Sequence, residues 1–315
     1  MGIAEVIPGV SGGTIAFITG IYETLIDCIT SFDLDLLQLL RKGKFKAAWT
    51  KINGDFLVAL VAGMVGGIVF GIFVITYLMH HYPEPLWGFF FGLVVASALL
   101  IGRQIGKWDI TVLVAFLIGV STAVGLAIIT PTGGSLNPFY IFMCGVIAIS
   151  AFILPGVSGS FMLLLLGMYT VIIPSLKSIL VNGDLESIKI IGIFAIGCIV
   201  GITSFARLLS WLFDHYERQT LVLLTGFLVG SLYKIWPWRN VQLVMDKTTS
   251  IISTIGDKIT YEALEIEQIK ILKEVNALPS DYWMSSPKTV ITLLAVVVGY
   301  GIVVLLEKSQ QKEVK

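Results

Sequence analysis

Six runs of about twenty apolar residues, near 55–79, 86–102, 110–129, 190–212, 220–236 and 288–306, dictate the surroundings in which this chain folds. A bilayer core about 30 Å thick is crossed by roughly 20 residues of helix. With 56% hydrophobic and only 13% charged side chains and a mean hydropathy of +0.90, the chain has too few charges to cover so much apolar surface in water. The expectation is an all-α integral membrane protein with about six transmembrane helices, multi-pass in the cell membrane. Met1-Gly2-Ile3-Ala4-Glu5 offers neither the basic start nor the cleavage site of a signal peptide, so the spans themselves reach the bilayer.

Two further apolar stretches, about 3–26 and 139–174, are broken by the same five residues, Pro8-Gly9-Val10-Ser11-Gly12 and Pro155-Gly156-Val157-Ser158-Gly159. Proline lacks an N–H and glycine opens conformations closed to other residues, so a helix ends and another begins at each. The match runs on: Gly20 and Tyr22 align with Gly167 and Tyr169 at one offset, and Gly63, Gly67, His81-Tyr82, Gly92 and Ser97 with Gly197, Gly201, His215-Tyr216, Gly226 and Ser231 at another. Two copies of one unit therefore make up the chain. Three spans separate equivalent points if each broken stretch is a re-entrant hairpin, and an odd number inverts the second copy, as in many secondary transporters. Were each stretch a single broken span, the copies would be parallel. The Pro-Gly break and the lysine and arginine tally favour the inverted repeat with two re-entrant helical hairpins.

That tally sets the orientation. Arg41, Lys42, Lys44, Lys46, Lys51, Arg103, Lys107, Arg218 and the tail Lys308, Lys312 and Lys315 fall on one side, expected to be cytoplasmic, against Lys177 and Lys189 in the short loops of the other. Residues 27–55 are amphipathic and read as an interfacial segment. The division expected is 1–130 for the first repeat, 131–240 for the second, a soluble helical insertion at 241–287 lying outside, and a final span with basic tail at 288–315. Lys plus Arg equals Asp plus Glu at 21 each, which gives no field for nucleic acid. Cys28, Cys144 and Cys198 make no paired framework or metal spacing, and neither a metal nor a cofactor is expected.

A helix restarted inside the membrane aims backbone N–H groups and the positive end of its dipole into the break, where an anion is welcome. The residues expected to hold it are Pro8, Gly9, Val10, Ser11, Gly12, Gly13 and Thr14 with Pro155, Gly156, Val157, Ser158, Gly159 and Ser160. Arg207, inside the 190–212 run, reads either as a phosphate partner or as a side chain snorkelling to the interface near Asp214. Glu5 and Glu23 flank the first motif, where the second copy has Phe152 and Thr170; they read either as a proton or cation coupling site or as interfacial acids. His81 and His215 read as interfacial anchors, and the GxxxG pairs Gly63/Gly67 and Gly197/Gly201 as helix contacts. No HExxH or GxxxxGK[ST] element appears, so a zinc-dependent membrane hydrolase and ATP drive are disfavoured. From the residues alone the chain is an anion-binding membrane carrier, with a small-anion channel or exchanger, or an intramembrane lipid-modifying enzyme, as the rival readings.

The run from Glu5 to Glu23, with its echo at Pro155 to Tyr169, resembles the bacterial and archaeal family of polyprenyl-phosphate transporters, over nearly the whole chain. The resemblance implies a non-enzymatic carrier that returns undecaprenyl phosphate or a related lipid to the cytoplasmic leaflet for cell-envelope polymer synthesis. The second copy has about fifteen apolar residues before its motif against seven residues in the first, so the leading half-helix of the first hairpin reads as truncated.

Overall fold

The computed structural model describes residues 1–5, 11–129, 133–246, 252–257 and 269–313. Three short helices open the chain, α1 (Gly2–Glu5), α2 (Gly12–Ile18) and α3 (Tyr22–Thr30). The amphipathic α4 (Leu34–Arg41) and α5 (Phe45–Lys51) follow, with Leu34, Leu37, Leu40, Phe45 and Trp49 exposed beside the basic residues. Then come α6 (Gly54–His81), α7 (Pro83–Gln104) and α8 (Ile110–Ile128). The second half repeats the order with α9 (Pro138–Ile153), α10 (Gly159–Leu165), α11 (Tyr169–Asn182) and α12 (Leu185–Ser231). Strands β1 (Arg239–Asp246), β2 (Ile252–Thr254) and β3 (Ile269–Asn276) precede α13 (Thr289–Glu313).

Local chemistry explains where the long helices start. Asp109, Asn137 and Asp184 are N-caps whose side chains accept from the backbone N–H of Val112, Phe139 and Ser187 at 3.0, 2.9 and 3.0 Å. Pro83 and Pro138 sit in the first turn of their helices, where a missing N–H costs nothing.

Among the described residues four helices are long and apolar enough to cross a membrane, up to six if each bent pair is one span, and α9 and the apolar part of α13 are shorter. At 1.5 Å per residue the 47 residues of α12 would reach about 70 Å, twice the hydrocarbon thickness. The helix is in fact broken at Tyr216, with φ −139° and ψ 43°. Its equivalent Tyr82, between α6 and α7, has φ −139° and ψ 52°. The preceding histidines also match: His81 Nδ1 lies 2.9 Å from the Tyr77 carbonyl and stacks on that ring, and His215 Nδ1 lies 2.9 Å from the Trp211 carbonyl and stacks on Trp211. The repeat read from sequence is thus repeated in backbone geometry.

A second matched break follows each motif. Gly20 and Gly167 take φ +71° and +66°, a region open to glycine at little cost. Each ends its helix through the same two bonds: Gly20 N–H to Phe17 O and Ile21 N–H to Ala16 O at 3.2 and 3.0 Å, Gly167 N–H to Leu164 O and Met168 N–H to Leu163 O at 3.0 and 2.9 Å. The chain then turns, by 118° between α2 and α3 and by 110° between α10 and α11.

The two halves cross over one another. The third long helix of the first half, α8, packs on the C-terminal arm of α12, while α13 packs on α7 of the first half. Both contacts are made backbone to backbone at glycine. A Cβ at Gly92 would strike the Val296 carbonyl and one at Gly299 the Phe89 carbonyl; Gly119 faces the Leu223 carbonyl and Gly226 the Phe116 carbonyl in the same way. Gly197 and Gly201 press on the Phe142 and Val146 carbonyls of α9, and Gly67 meets α1, whereas Gly63 has nothing within 4 Å. One buried cluster, including Ala16, Tyr22, Trp87, Phe90, Leu224 and Leu228, joins both halves.

The helical insertion expected at 241–287 is corrected by the structure. Its described residues form a three-stranded antiparallel sheet in the order β2-β1-β3. Val241, Val244 and Ile255 are buried there with Trp283 and Met284 against them. The helical expectation rested on Leu264, Ile266, Ile269 and Leu272 among charged residues, and of these Ile269 and Leu272 lie in β3. Residues 258–268, part of that expectation, lie outside the described residues.

Candidate functional site

The two broken stretches meet. Ser11, 2% exposed, caps α2: its Oγ accepts from Gly13 N–H at 3.1 Å and donates across to the Phe152 carbonyl of the second copy at 3.1 Å. In return the Gly156 N–H donates to Thr14 Oγ1 at 2.9 Å. Gly13 lies so near the Ile153 carbonyl that no side chain fits between them. Gly156 itself takes φ +82° against the Phe227 carbonyl, so it needs glycine for conformation as well as for room. Ser158 caps α10, accepting from Phe161 N–H at 3.4 Å, with the Ser160 hydroxyl 2.9 Å away. Pro155, Val157 and Gly159 are buried around it. Pro8, Gly9 and Val10 lie outside the described residues.

The amide hydrogens at the α2 start are not idle. Ser11 takes that of Gly13, and the Glu5 carboxylate takes that of Gly12, with Oε1 2.5 Å from the nitrogen. The first copy therefore carries its own anion where the second has Phe152.

Beside this junction opens a cavity of about 630 Å³. Glu5 lines it from the first copy and Ser160, Phe161 and Leu164 from α10; Lys234 and Arg239 line it from the segment after α12, and Glu274 from β3. Lys234 Nζ lies 4.7 Å over the Phe161 ring and Arg239 4.6 Å over Trp87, so each cation is held against an aromatic face. Glu274 Oε2 is 2.9 Å from Arg239 Nη1 and 3.9 Å from Lys234 Nζ. Burial holds the Lys234 ammonium below its ordinary pKa, with Arg239 adding to the fall and Glu274 opposing it. Burial also pushes the Tyr282 hydroxyl up to about 12; it donates to Glu84 at 2.9 Å. Lys234, Arg239 and Lys273 against Glu5 and Glu274 leave positive charge in excess at the wall of a cleft that is otherwise largely apolar. Such a site suits an anionic head on an apolar body.

The undecaprenyl phosphate translocase-like family model matches residues 1–253. The chain belongs to that family. A Vibrio cholerae relative named polyprenyl-phosphate transporter is 42% identical over 242 residues, 76% of this chain and 76% of its own length. A Staphylococcus aureus protein of the same name is 26% identical over 271 residues, 81% of this chain and 90% of its own. No solved structure matches the chain.

Within this family member the cavity gathers some of the residues expected from sequence and leaves others apart. Glu5 and Ser160 line it, and Ser11, Thr14, Gly156 and Ser158 form the junction beside it. Arg207 is exposed on the N-terminal arm of α12 and does not line the cavity. Glu23 is exposed on α3 in the field of Glu217 and Asp27 and is likewise absent from the lining. Sequence reasoning missed Lys234, Arg239 and Glu274. Lys234 carried a readable signal, since it falls inside the 220–236 apolar run, the same rule that singled out Arg207. Among the described residues no cluster of three His, Cys, Asp or Glu is placed to hold a metal ion.

Proposed function

We propose that this protein is a membrane transporter of polyprenyl phosphate, which it carries as the intact lipid between leaflets. The observation that carries the reading is the cavity, where Glu5 and Ser160, each flanking one Pro-Gly-Val-Ser-Gly copy, share the lining with the half-buried cations Lys234 and Arg239. The phosphate head sits against Lys234, Arg239 and the Ser160 hydroxyl while the polyprenyl tail stays among apolar walls and lipid. The transporter names of the family relatives support this reading over the hydrolytic one.

The two halves act as an inverted repeat, and the bent pairs α2/α3 and α10/α11 as re-entrant hairpins. The matched breaks at Tyr82 and Tyr216, the matched turns at Gly20 and Gly167, and the crossed packing of α8 and α13 support it. With the basic 41–51 segment and the C-terminal tail in the cytoplasm, α6 runs outward, and the cavity lies at its His81 end among Met79 and Pro83. The head group is then taken from the outer leaflet and delivered inward, which returns undecaprenyl phosphate for cell-envelope polymer synthesis. Glu5, touching the α2 start and lining the same cavity, is the group through which a proton or cation couples to the cycle.

The test is leaflet-resolved movement of labelled polyprenyl phosphate in proteoliposomes. Wild-type protein is expected to move it, and Lys234→Gln with Arg239→Gln to abolish movement. Uptake of inorganic phosphate in place of the lipid, or chemical change of the lipid seen by mass spectrometry, overturns the reading.

A further inference from the structure

Among the described residues Glu274 is the one carboxylate within 4 Å of the cation pair, Glu5 standing elsewhere in the lining. Its Oε2 is within hydrogen-bond distance of Arg239 at 2.9 Å and in the field of Lys234 at 3.9 Å. The strand that carries it is tied down on either side of the cavity mouth. Val241 pairs with Glu274 in the β1–β3 ladder, Asn276 Nδ2 donates to the Tyr233 carbonyl at 2.9 Å, and Ala277 N–H to the Trp238 carbonyl at 2.9 Å. Backbone bonds therefore hold β3 in place without Glu274, and its side chain is free to turn about its own rotamers while the strand stays.

We infer that Glu274 is a built-in stand-in for the substrate phosphate, occupying Arg239 and Lys234 when the cavity is empty and yielding them when a phosphate monoester arrives. This rests on the reading of the cavity as the phosphate site. Two half-buried cations without a counter-ion would repel each other and lose hydration, and the carboxylate removes that cost in the empty state. A phosphate monoester brings more charge and three acceptor oxygens against two, so it displaces the carboxylate from a pair that still carries excess positive charge. On release the carboxylate returns. The exchange keeps affinity moderate, as a carrier requires, since a site that binds too well does not let go.

The experiment uses full-length protein in nanodiscs, with farnesyl monophosphate as the probe and farnesol and inorganic phosphate as the comparison ligands. Glu274→Gln keeps the shape and removes the competing charge. It is expected to bind farnesyl monophosphate about tenfold tighter than wild type, the value of one charge-assisted hydrogen bond. In proteoliposomes it is expected to show a lower apparent KM and a lower turnover for polyprenyl phosphate. Glu274→Asp restores the charge and is expected to move both back toward wild type. A purely structural Glu274 predicts unchanged or weaker binding in Glu274→Gln, and that result, with wild type binding normally, overturns the role of Glu274 alone. If wild type and Arg239→Gln bind farnesyl monophosphate equally, or inorganic phosphate binds as well as the prenyl ester, the cavity reading falls with it. A measurement that needs no variant is carbodiimide labelling of wild-type Glu274 read by mass spectrometry. Farnesyl monophosphate is expected to raise it severalfold, and protection or no change overturns the exchange.

Discussion

Thr14→Val tests whether the two motifs are held together by the bond drawn between them. Thr14 is 3% exposed and its Oγ1 accepts from Gly156 N–H at 2.9 Å. Valine fills nearly the same space but offers no acceptor, so the Gly156 N–H loses its partner at a position locked by φ +82°. The bond itself contributes about 1 kcal/mol, and a stranded donor adds about 1–3 kcal/mol where it stays dry. Gly156 is only half-buried, so the total belongs at the low end, about 1–2 kcal/mol. Thr14→Ser keeps the oxygen and sheds a methyl, a loss of about 0.8 kcal/mol. The expected order of stability is wild type, serine, valine, read from the midpoint of denaturant unfolding in mixed micelles. Ser11→Ala removes the reciprocal bond to the Phe152 carbonyl, and because both bonds tie the same two loops the double variant is expected to deviate from additivity by about 0.5 kcal/mol or more. Valine no less stable than serine, or strict additivity, would refute the bridge.

Because burial first and Arg239 second hold Lys234 below its ordinary 10.5, it loses its proton sooner than an exposed lysine as pH rises. Affinity for a prenyl phosphate should then fall as pH rises through the lowered pKa, while the folding contribution runs the other way, present above 10.5 and lost as pH falls through the folded value; Lys234→Arg should flatten the binding curve. Gly92→Ala and Gly226→Ala, each forced against a carbonyl of the neighbouring helix, are expected to cost about 1–3 kcal/mol in the same unfolding assay, and Gly125→Ala, with nothing within 4 Å, is expected to cost none. Arg239→Gln is expected to weaken prenyl phosphate binding about tenfold or more, and more than Arg207→Gln does, since Arg239 lines the cavity and Arg207 does not.

What could be read in the sequence was what short-range physics determines. The apolar runs and the doubled Pro-Gly-Val-Ser-Gly each act within a few residues, and the helices and breaks fall close to where those residues dictate. Gly20 and Gly167 were visible as a matched pair, yet a lone glycine in an apolar run does not reveal that it will take a left-handed turn. The sheet was misread because apolar and charged residues mixed over 262–274 fit a helical face, whereas Ile269–Asn276 are held as a strand by pairing with β1, about thirty residues earlier. Lys234, Arg239 and Glu274 were hidden for another reason. Their meaning lies in a meeting between the end of α12, β1 and β3, with Glu274 35 residues from Arg239, and no local pattern encodes a contact of that range.

The long helices form a tightly packed frame. Where α7 crosses α13 and α8 crosses α12, glycine meets carbonyl with no space for a side chain, so those pairs slide only by breaking contact. Each crossing is also clasped at its end, with charges reversed between the copies. Glu84 at the start of α7, 1% exposed, holds Lys288 just before α13 at 3.2 Å, and Arg218 just past the α12 break holds Asp109 just before α8 at 3.1 Å. The crossed long helices thus form a frame stapled at both ends. The bent pairs α2/α3 and α10/α11 turn instead on Gly20 and Gly167, with nothing within 4 Å of Gly20, and the start of α2 is tied to the end of α9 and the α9–α10 corner through the Ser11–Phe152 and Gly156–Thr14 bonds. A carrier that exposes one site to two leaflets needs a part that moves against a part that does not. The turns at Gly20 and Gly167 are where the bent pairs can swing against that frame, and α10 carries Ser160 and Phe161 of the cavity wall with it.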